Sequence, residues 1–195
     1  IILAREAIEK RHLILENRYL KRELSEKYSY ENIIGKSKTM QDVFSMIQRV
    51  SRTDASMLIT GESGTGKELV ARAIHYTSAR ASFPFVVIDC TTIPHDLMET
   101  ELFGYEKGAF TCAYAQKIGF IETAHTGTVF FDEIGDLDMY LQKKLLRFYQ
   151  EKEFHRLGGE KSIKVDVRII AATNRNIEEM TKKGEFREDL FYRLN

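Results

Sequence analysis

The sequence has no surplus of charge of either sign, almost no cysteine and no long apolar run. Lysine plus arginine number 29 and aspartate plus glutamate 29, a formal net charge of zero. A dedicated DNA-binding domain usually carries a basic excess, so any nucleic-acid contact is local or belongs to another part of the protein. The two cysteines, Cys90 and Cys112, have neither the number nor the CxxC spacing of a disulfide framework or a zinc site. They read as free thiols in a reducing compartment, and a cytoplasmic location is expected. No stretch approaches the ~20 apolar residues of a membrane span, and no signal peptide is visible, so no membrane partner is expected. What is present is ordinary for a soluble domain of 195 residues: 43% hydrophobic and 30% charged. That length suits one domain with an extension. The chain starts at Ile1 without a methionine and stops at Asn195 inside a helical pattern, so both ends read as cut.

Residues 1–28 contain no Gly or Pro and are dense in Glu, Lys, Arg and Leu. Ile1, Ile8 and Leu15 stand seven apart with Ala4 between, and Leu13, Leu20 and Leu24 form a second stripe. This predicts a long amphipathic helix. Arg11 and Arg18 occupy the other seam position of a coiled coil, which leaves both a self-pairing helix and a solvated linker open. Residues 28–34 read as a connector. Ser37 can cap a helix whose Met40, Val43, Phe44, Ile47 and Val50 recur at helical spacing. Beyond it, short apolar strands at 57–60, 85–88, 128–131 and 165–172 alternate with helices at 68–76 and 139–150. Residues 103–119, with three glycines among aromatics, read as a structured loop. Strand–helix alternation predicts an α/β fold with a parallel sheet flanked by helices.

The first strand runs into Gly61-Glu62-Ser63-Gly64-Thr65-Gly66-Lys67-Glu68 and then a helix. That is the setting a phosphate-binding loop requires. Small glycines let backbone N–H groups face phosphates, and the helix N-terminus adds partial positive charge. Lys67 can reach the β- and γ-phosphates. Glu68 stands where a magnesium-touching Ser or Thr is usual, which argues against a small-GTPase reading. Downstream, the apolar strand at 129–131 ends in Asp132 and Glu133. Ligands of open α/β sheets bind at that carboxyl edge. Asp132 is the candidate holder of Mg²⁺ and Glu133 the candidate group that orients and polarises the attacking water.

These motifs resemble, in order, those of the central AAA+ domain of bacterial sigma-54-dependent transcription activators. Residues 61–68 resemble its Walker A segment, which carries Glu after Lys. ELFGYEKGAFTCA at 101–113 resembles its GAFTGA-type loop, GTVFFDEIGD at 127–136 its Walker B segment, RIIAATN at 168–174 its sensor strand, and FREDLFYRL at 186–194 its arginine-finger helix. The likeness covers about residues 32–195 and divides the chain into a linker helix over 1–28 and an AAA+ domain over 29–195 that stops before a helical lid.

The resemblance implies an ATPase using ATP and Mg²⁺, built from a dimer into a ring, usually a hexamer. It implies a partner, the sigma-54 RNA polymerase holoenzyme, which ATP hydrolysis remodels for open-complex formation. Enhancer DNA would be bound through a C-terminal domain outside this sequence. The linker helix would follow a two-component receiver domain. Thr173 and Asn174 would sense the γ-phosphate, while Arg187 and Arg193 would reach a neighbour's ATP. Ile34 and Gly35 would lie beside the adenine. Gly108, Ala109, Phe110, Thr111, Cys112 and Ala113 would touch sigma-54, and residues 157–163 would form a second loop lining the pore.

Two positions depart from the family pattern. Cys112 stands where the family has Gly, and a positive φ there would strain it. Asp89 stands where the family usually has an Asn whose amide holds the catalytic Glu. Two carboxylates, Asp89 and Glu133, are therefore expected near each other, with repulsion raising the pKa of one or loosening the switch. The first departure supports an alternative: a nucleotide-dependent oligomerisation or regulatory module uncoupled from sigma-54.

Overall fold

The structure is a computed structural model and describes residues 2–28, 33 and 35–195. Ile1 and, within the connector expected over 28–34, residues 29–32 and Ile34 lie outside the described residues, as do the side chains of Ala4 and Ile8. In chain order the elements are α1 Ile2–Lys27, α2 Lys38–Ser51, β1 Met57–Thr60, α3 Lys67–Thr77, β2 Phe85–Asp89, α4 His95–Phe103, β3 Gly104–Tyr105, β4 Lys117–Ile118, α5 Phe120–Thr123, β5 Thr128–Asp132, α6 Met139–Glu151, β6 Glu153–His155, β7 Ser162–Lys164, β8 Arg168–Thr173, α7 Ile177–Lys183 and α8 Glu188–Leu194. A single 3-10 turn, Ile134–Asp136, follows β5. α2 starts where its cap predicts, with Ser37 Oγ accepting from Met40 N at 3.3 Å.

Four strands form one parallel sheet in the order β1-β8-β5-β2. The strands are apolar on both faces because both are covered. Successive side chains alternate. Phe130, Ile170 and Ala172 pack with Ile47, Ala71 and Ile74 of α2 and α3. Val129, Phe131, Ile169 and Ala171 pack on the other side with Leu141, Leu145 and Leu190 of α6 and α8. Phe130 and Phe131 are fully buried, each contributing about 1.5–3 kcal/mol from area removed from water. Register brings Thr60 beside Thr173, and Asp89 beside Asp132, so the strand ends gather at one carboxyl edge. This is the doubly covered parallel sheet of the AAA+ P-loop NTPase fold.

The expected loop at 103–119 contains a small antiparallel pair, β3 with β4, and β6 pairs with β7 beside it. Leu157, between β6 and β7, donates to Gly104 O and accepts from Glu106 N, each at 3.0 Å. Arg156 joins these two segments to α5, pairing with Glu106 at 2.6 Å and with Glu122 at 2.7 Å.

α1 is the long helix expected over 1–28. Leu13, Ile14, Leu15, Leu20 and Leu24 are all exposed. Leu13, Ile14 and Leu15 are consecutive, and at 100° per residue they span far more than one stripe. The two expected stripes therefore face solvent over the described part. α1 touches the domain at its C-terminal end, where Tyr28 stacks on Tyr76 at 5.6 Å and Ser25 Oγ donates to Tyr76 O at 3.4 Å.

Candidate nucleotide-binding site

The chain leaves β1 at Thr60 and re-enters a helix at Lys67. Gly64 (φ +79°) and Gly66 (φ +88°) make that reversal in a backbone region L side chains rarely adopt. Thr65 closes the loop, donating from N and Oγ1 to Glu62 O at 3.4 and 2.7 Å. Gly61 N donates to Thr173 O at 3.2 Å, which ties the loop's base to β8. The amides of Ser63, Gly64 and Gly66 have no partner among the described residues. With the free amides that open α3 they make a concave donor set suited to an anion.

Lys67 is only 8% exposed. Its Nζ donates to Gly61 O at 3.1 Å and Glu62 O at 3.2 Å, and lies 3.0 Å from Glu133 Oε1. Glu133 has a left-handed backbone (φ 52°, ψ 51°), which costs a non-glycine about 1–3 kcal/mol and persists only where surroundings hold it. Its Oε2 accepts from Asn174 N at 2.8 Å. Asp132 Oδ1 accepts from Glu133 N at 3.1 Å. Partial burial raises the Asp132 pKa first, the Glu133 and Asp89 charges raise it further, and Lys67 pulls it back only in part. A buried ammonium at a cradle of free amides, facing two adjacent carboxylates, fits a magnesium–polyphosphate. Lys67 and the amides would take the phosphates, Asp132 the cation, and Glu133 a proton from water.

Thr173 is buried, its Oγ1 accepting from Arg175 N at 3.1 Å, while Asn174 is exposed beside Glu133. Glu68 pairs with Arg72 at 2.6 Å on α3. Gly35 packs on α2, where a Cβ would lie 2.8 Å from Met40 Cγ. Arg187 pairs with Asp189 at 2.6 Å, and Arg193 is exposed with no ion pair among the described residues. Neither arginine bonds to Lys67, Asp132 or Glu133.

Two expectations are corrected. Asp89 does not bond to Glu133. Its Oδ1 accepts from Thr91 N at 2.9 Å and Thr91 Oγ1 at 2.7 Å. Partial burial pushes its pKa up, but those bonds and others from Thr92 outweigh it and hold it below the usual carboxylate value. The group holding Glu133 is Lys67, with the Asn174 amide. Cys112 is not in the left-handed region; the positive φ of its loop belongs to Gly108, at +85°. The backbone strain expected of Cys112 is absent.

The loop itself is ordered by Gly108 N donating to Ala113 O at 2.8 Å and by a T-shaped contact of Phe110 with Tyr105, centroids 4.9 Å apart. Ala113 is buried, whereas Phe110, Cys112 and Tyr114 are exposed. A Cβ on Gly158 would lie 2.7 Å from Ala109 Cβ, so the two loops meet where only glycine fits. Sequence reasoning missed the Arg156 hub and an ion pair between Arg175 and Asp136. Both join residues far apart in the chain, and no spacing signals them.

Comparison with known proteins gives a consistent picture. Residues 33–195 match the family model of the sigma-54 interaction domain. The chain is 52% identical over 97% of its length to the Nif-specific regulatory protein of Herbaspirillum seropedicae, covering 35% of that protein. It is 50% identical over 100% of its length to the regulatory protein AtoC of Escherichia coli K12, covering 42%. It thus spans well under half of these relatives. Among solved structures, NtrX of Brucella abortus in complex with ADP superposes with a TM-score of 0.82 at 44% identity, over 96% of this chain and 40% of that one. The same protein with ATP gives 0.81.

Proposed function

The chain belongs to the sigma-54 interaction domain family, and on that premise we propose that it binds ATP with Mg²⁺, hydrolyses it, and uses the energy to remodel sigma-54 RNA polymerase holoenzyme toward the open complex. The observation that carries the enzymatic part is the buried Lys67, set at a glycine cradle and 3.0 Å from Glu133. A bound divalent ion supplies neutralisation of charge on the β- and γ-oxygens. The chain's residues do the rest. Lys67 exchanges Glu133 for phosphate oxygens. Asp132 holds the cation. Glu133, released from Lys67 but still near the Asn174 amide, takes the proton of the attacking water. Thr173 and Asn174 report the γ-phosphate to β8.

Arg187 and Arg193 act on the ATP of a neighbouring copy, so ring assembly completes the site. Turnover by the isolated 195-residue chain is therefore expected to be slow. Gly108 to Ala113 present Phe110 and Thr111 to sigma-54, next to the loop at 157–163. Ile34 and Gly35 lie on the adenine side, α1 links the domain to an upstream receiver, and enhancer DNA is bound by a separate domain.

A transcription assay on a sigma-54 promoter tests this reading. ATP-dependent open complexes are expected from wild type and from Cys112→Gly alike, and none from Phe110→Ala. Activity confined to Cys112→Gly would overturn it in favour of an uncoupled regulator.

A further inference from the structure

Glu133 carries a strained backbone, and its side chain must point at one place to serve. Lys67 cannot be what keeps it there during turnover, since the proposed cycle removes Lys67 to the phosphates. What remains is the Asn174 amide, which donates to Glu133 Oε2 at 2.8 Å, and the segment that follows Glu133. Residues 134–136 form one tight turn, with Asp136 N donating to Glu133 O at 2.9 Å and Leu137 N to Ile134 O at 3.2 Å. Ile134 and Gly135 are buried, and a Cβ on Gly135 would lie 3.1 Å from Thr173 Oγ1 and 3.2 Å from Arg175 Cδ. The turn therefore rests on the end of β8. At its far side the Asp136 carboxylate accepts from Arg175 Nη2. Arg175 N in turn donates to Thr173 Oγ1 at 3.1 Å, and between them Asn174 N donates to Glu133 at 2.8 Å. Three consecutive residues, Thr173, Asn174 and Arg175, thus grip both ends of the turn that aims Glu133.

We infer that Arg175 and Asp136 are positioning residues for Glu133: their ion pair clamps the turn after β5 to the end of β8 and keeps the carboxylate aimed once Lys67 has left it. This rests on the proposed hydrolytic role of Glu133. The pair is partly exposed, with Arg175 50% accessible, so it adds little to stability. Its effect is on orientation, where a displacement of about 1 Å can cost on the order of 100-fold in rate.

The test is single-turnover ATP hydrolysis at high concentration of the full 195-residue chain, beside ATP affinity by calorimetry. Arg175→Ala and Asp136→Asn are expected to slow the chemical step about tenfold or more while affinity changes less than about twofold. Arg175→Lys should recover part of the rate. The exchange Asp136→Arg with Arg175→Asp should do better than either single change, because the pair is restored with its sense reversed. Turnover within twofold of wild type in Arg175→Ala, or rate and affinity falling together, would overturn the inference. Glu133→Gln is the reference. If it hydrolyses ATP as wild type does, the hydrolytic reading fails; if only the Arg175 and Asp136 variants are silent, the clamp alone fails.

Discussion

Lys67 Nζ lies 3.0 Å from Glu133 Oε1, and both side chains are largely buried, 8% and 15% exposed. The acid proposed to activate water thus neutralises the ammonium proposed to bind phosphate. Phosphate must compete with Glu133 for Lys67. Glu133→Gln is expected to tighten ADP binding without divalent ions by roughly five- to tenfold. Asp132→Asn removes a neighbouring charge that does not touch Lys67, and should tighten it less. Equal gains in the two variants, measured by calorimetry, would show that general charge and not the ion pair opposes phosphate.

Lys67→Ala removes the charge-assisted contact itself. Nucleotide affinity should fall roughly 10- to 100-fold. An affinity within twofold of wild type would place the phosphates elsewhere.

The two thiols should separate cleanly. Cys112 is exposed, whereas Cys90 is buried. Burial first, and then the nearby carboxylates of Asp89, Asp136, Asp132 and Glu133, push the Cys90 thiol far up. A thiol reagent should label one site in the native chain and two in denaturant. Since Cys112 has ordinary backbone, Cys112→Gly should change unfolding free energy by no more than about 0.5 kcal/mol. Rapid native labelling of Cys90 would contradict its burial.

His75 should make stability pH-dependent. It is fully buried, its Nδ1 lies 2.9 Å from Thr128 Oγ1, and burial lowers its pKa from 6.5 to about 4. The unfolded chain therefore binds the proton more readily. The neutral ring's contribution is complete above pH 6.5 and is lost as pH falls toward 4, by about 3 kcal/mol in all. Urea titrations at pH 7.5, 5.5 and 4.5 should show that decline (assay conditions, roughly spanning the window). His75→Gln should flatten it, and an unchanged slope would exclude His75 as its source.

Much of this was legible in the sequence because it is local. The apolar strands before Gly61 and Asp132 announced the sheet, and the glycine spacing before Lys67 announced the turn into α3. Strand ends ran one residue further than read at Asp89, Asp132 and Thr173, and those residues carry the polar edge. α4 escaped notice because its apolar residues Met98, Leu102 and Phe103 are spread among acids. The neighbour of Asp89 across the sheet is inferable from the sequence, but its bond to Thr91, two residues on, is not. The Arg156 hub, the Arg175–Asp136 pair and the Arg80 bridge to Asp54 and Asp166 join segments by the folded chain alone. Nothing in a linear pattern marks which arginine will meet which acid.

The most direct measurement is a single-turnover comparison of wild type and Glu133→Gln with radiolabelled ATP and Mg²⁺, with binding followed in parallel. Glu133→Gln should retain ATP at least as tightly while the chemical step slows by about 100-fold or more. Hydrolysis by Glu133→Gln at a rate near wild type, or loss of ATP binding with the cradle intact, would contradict it.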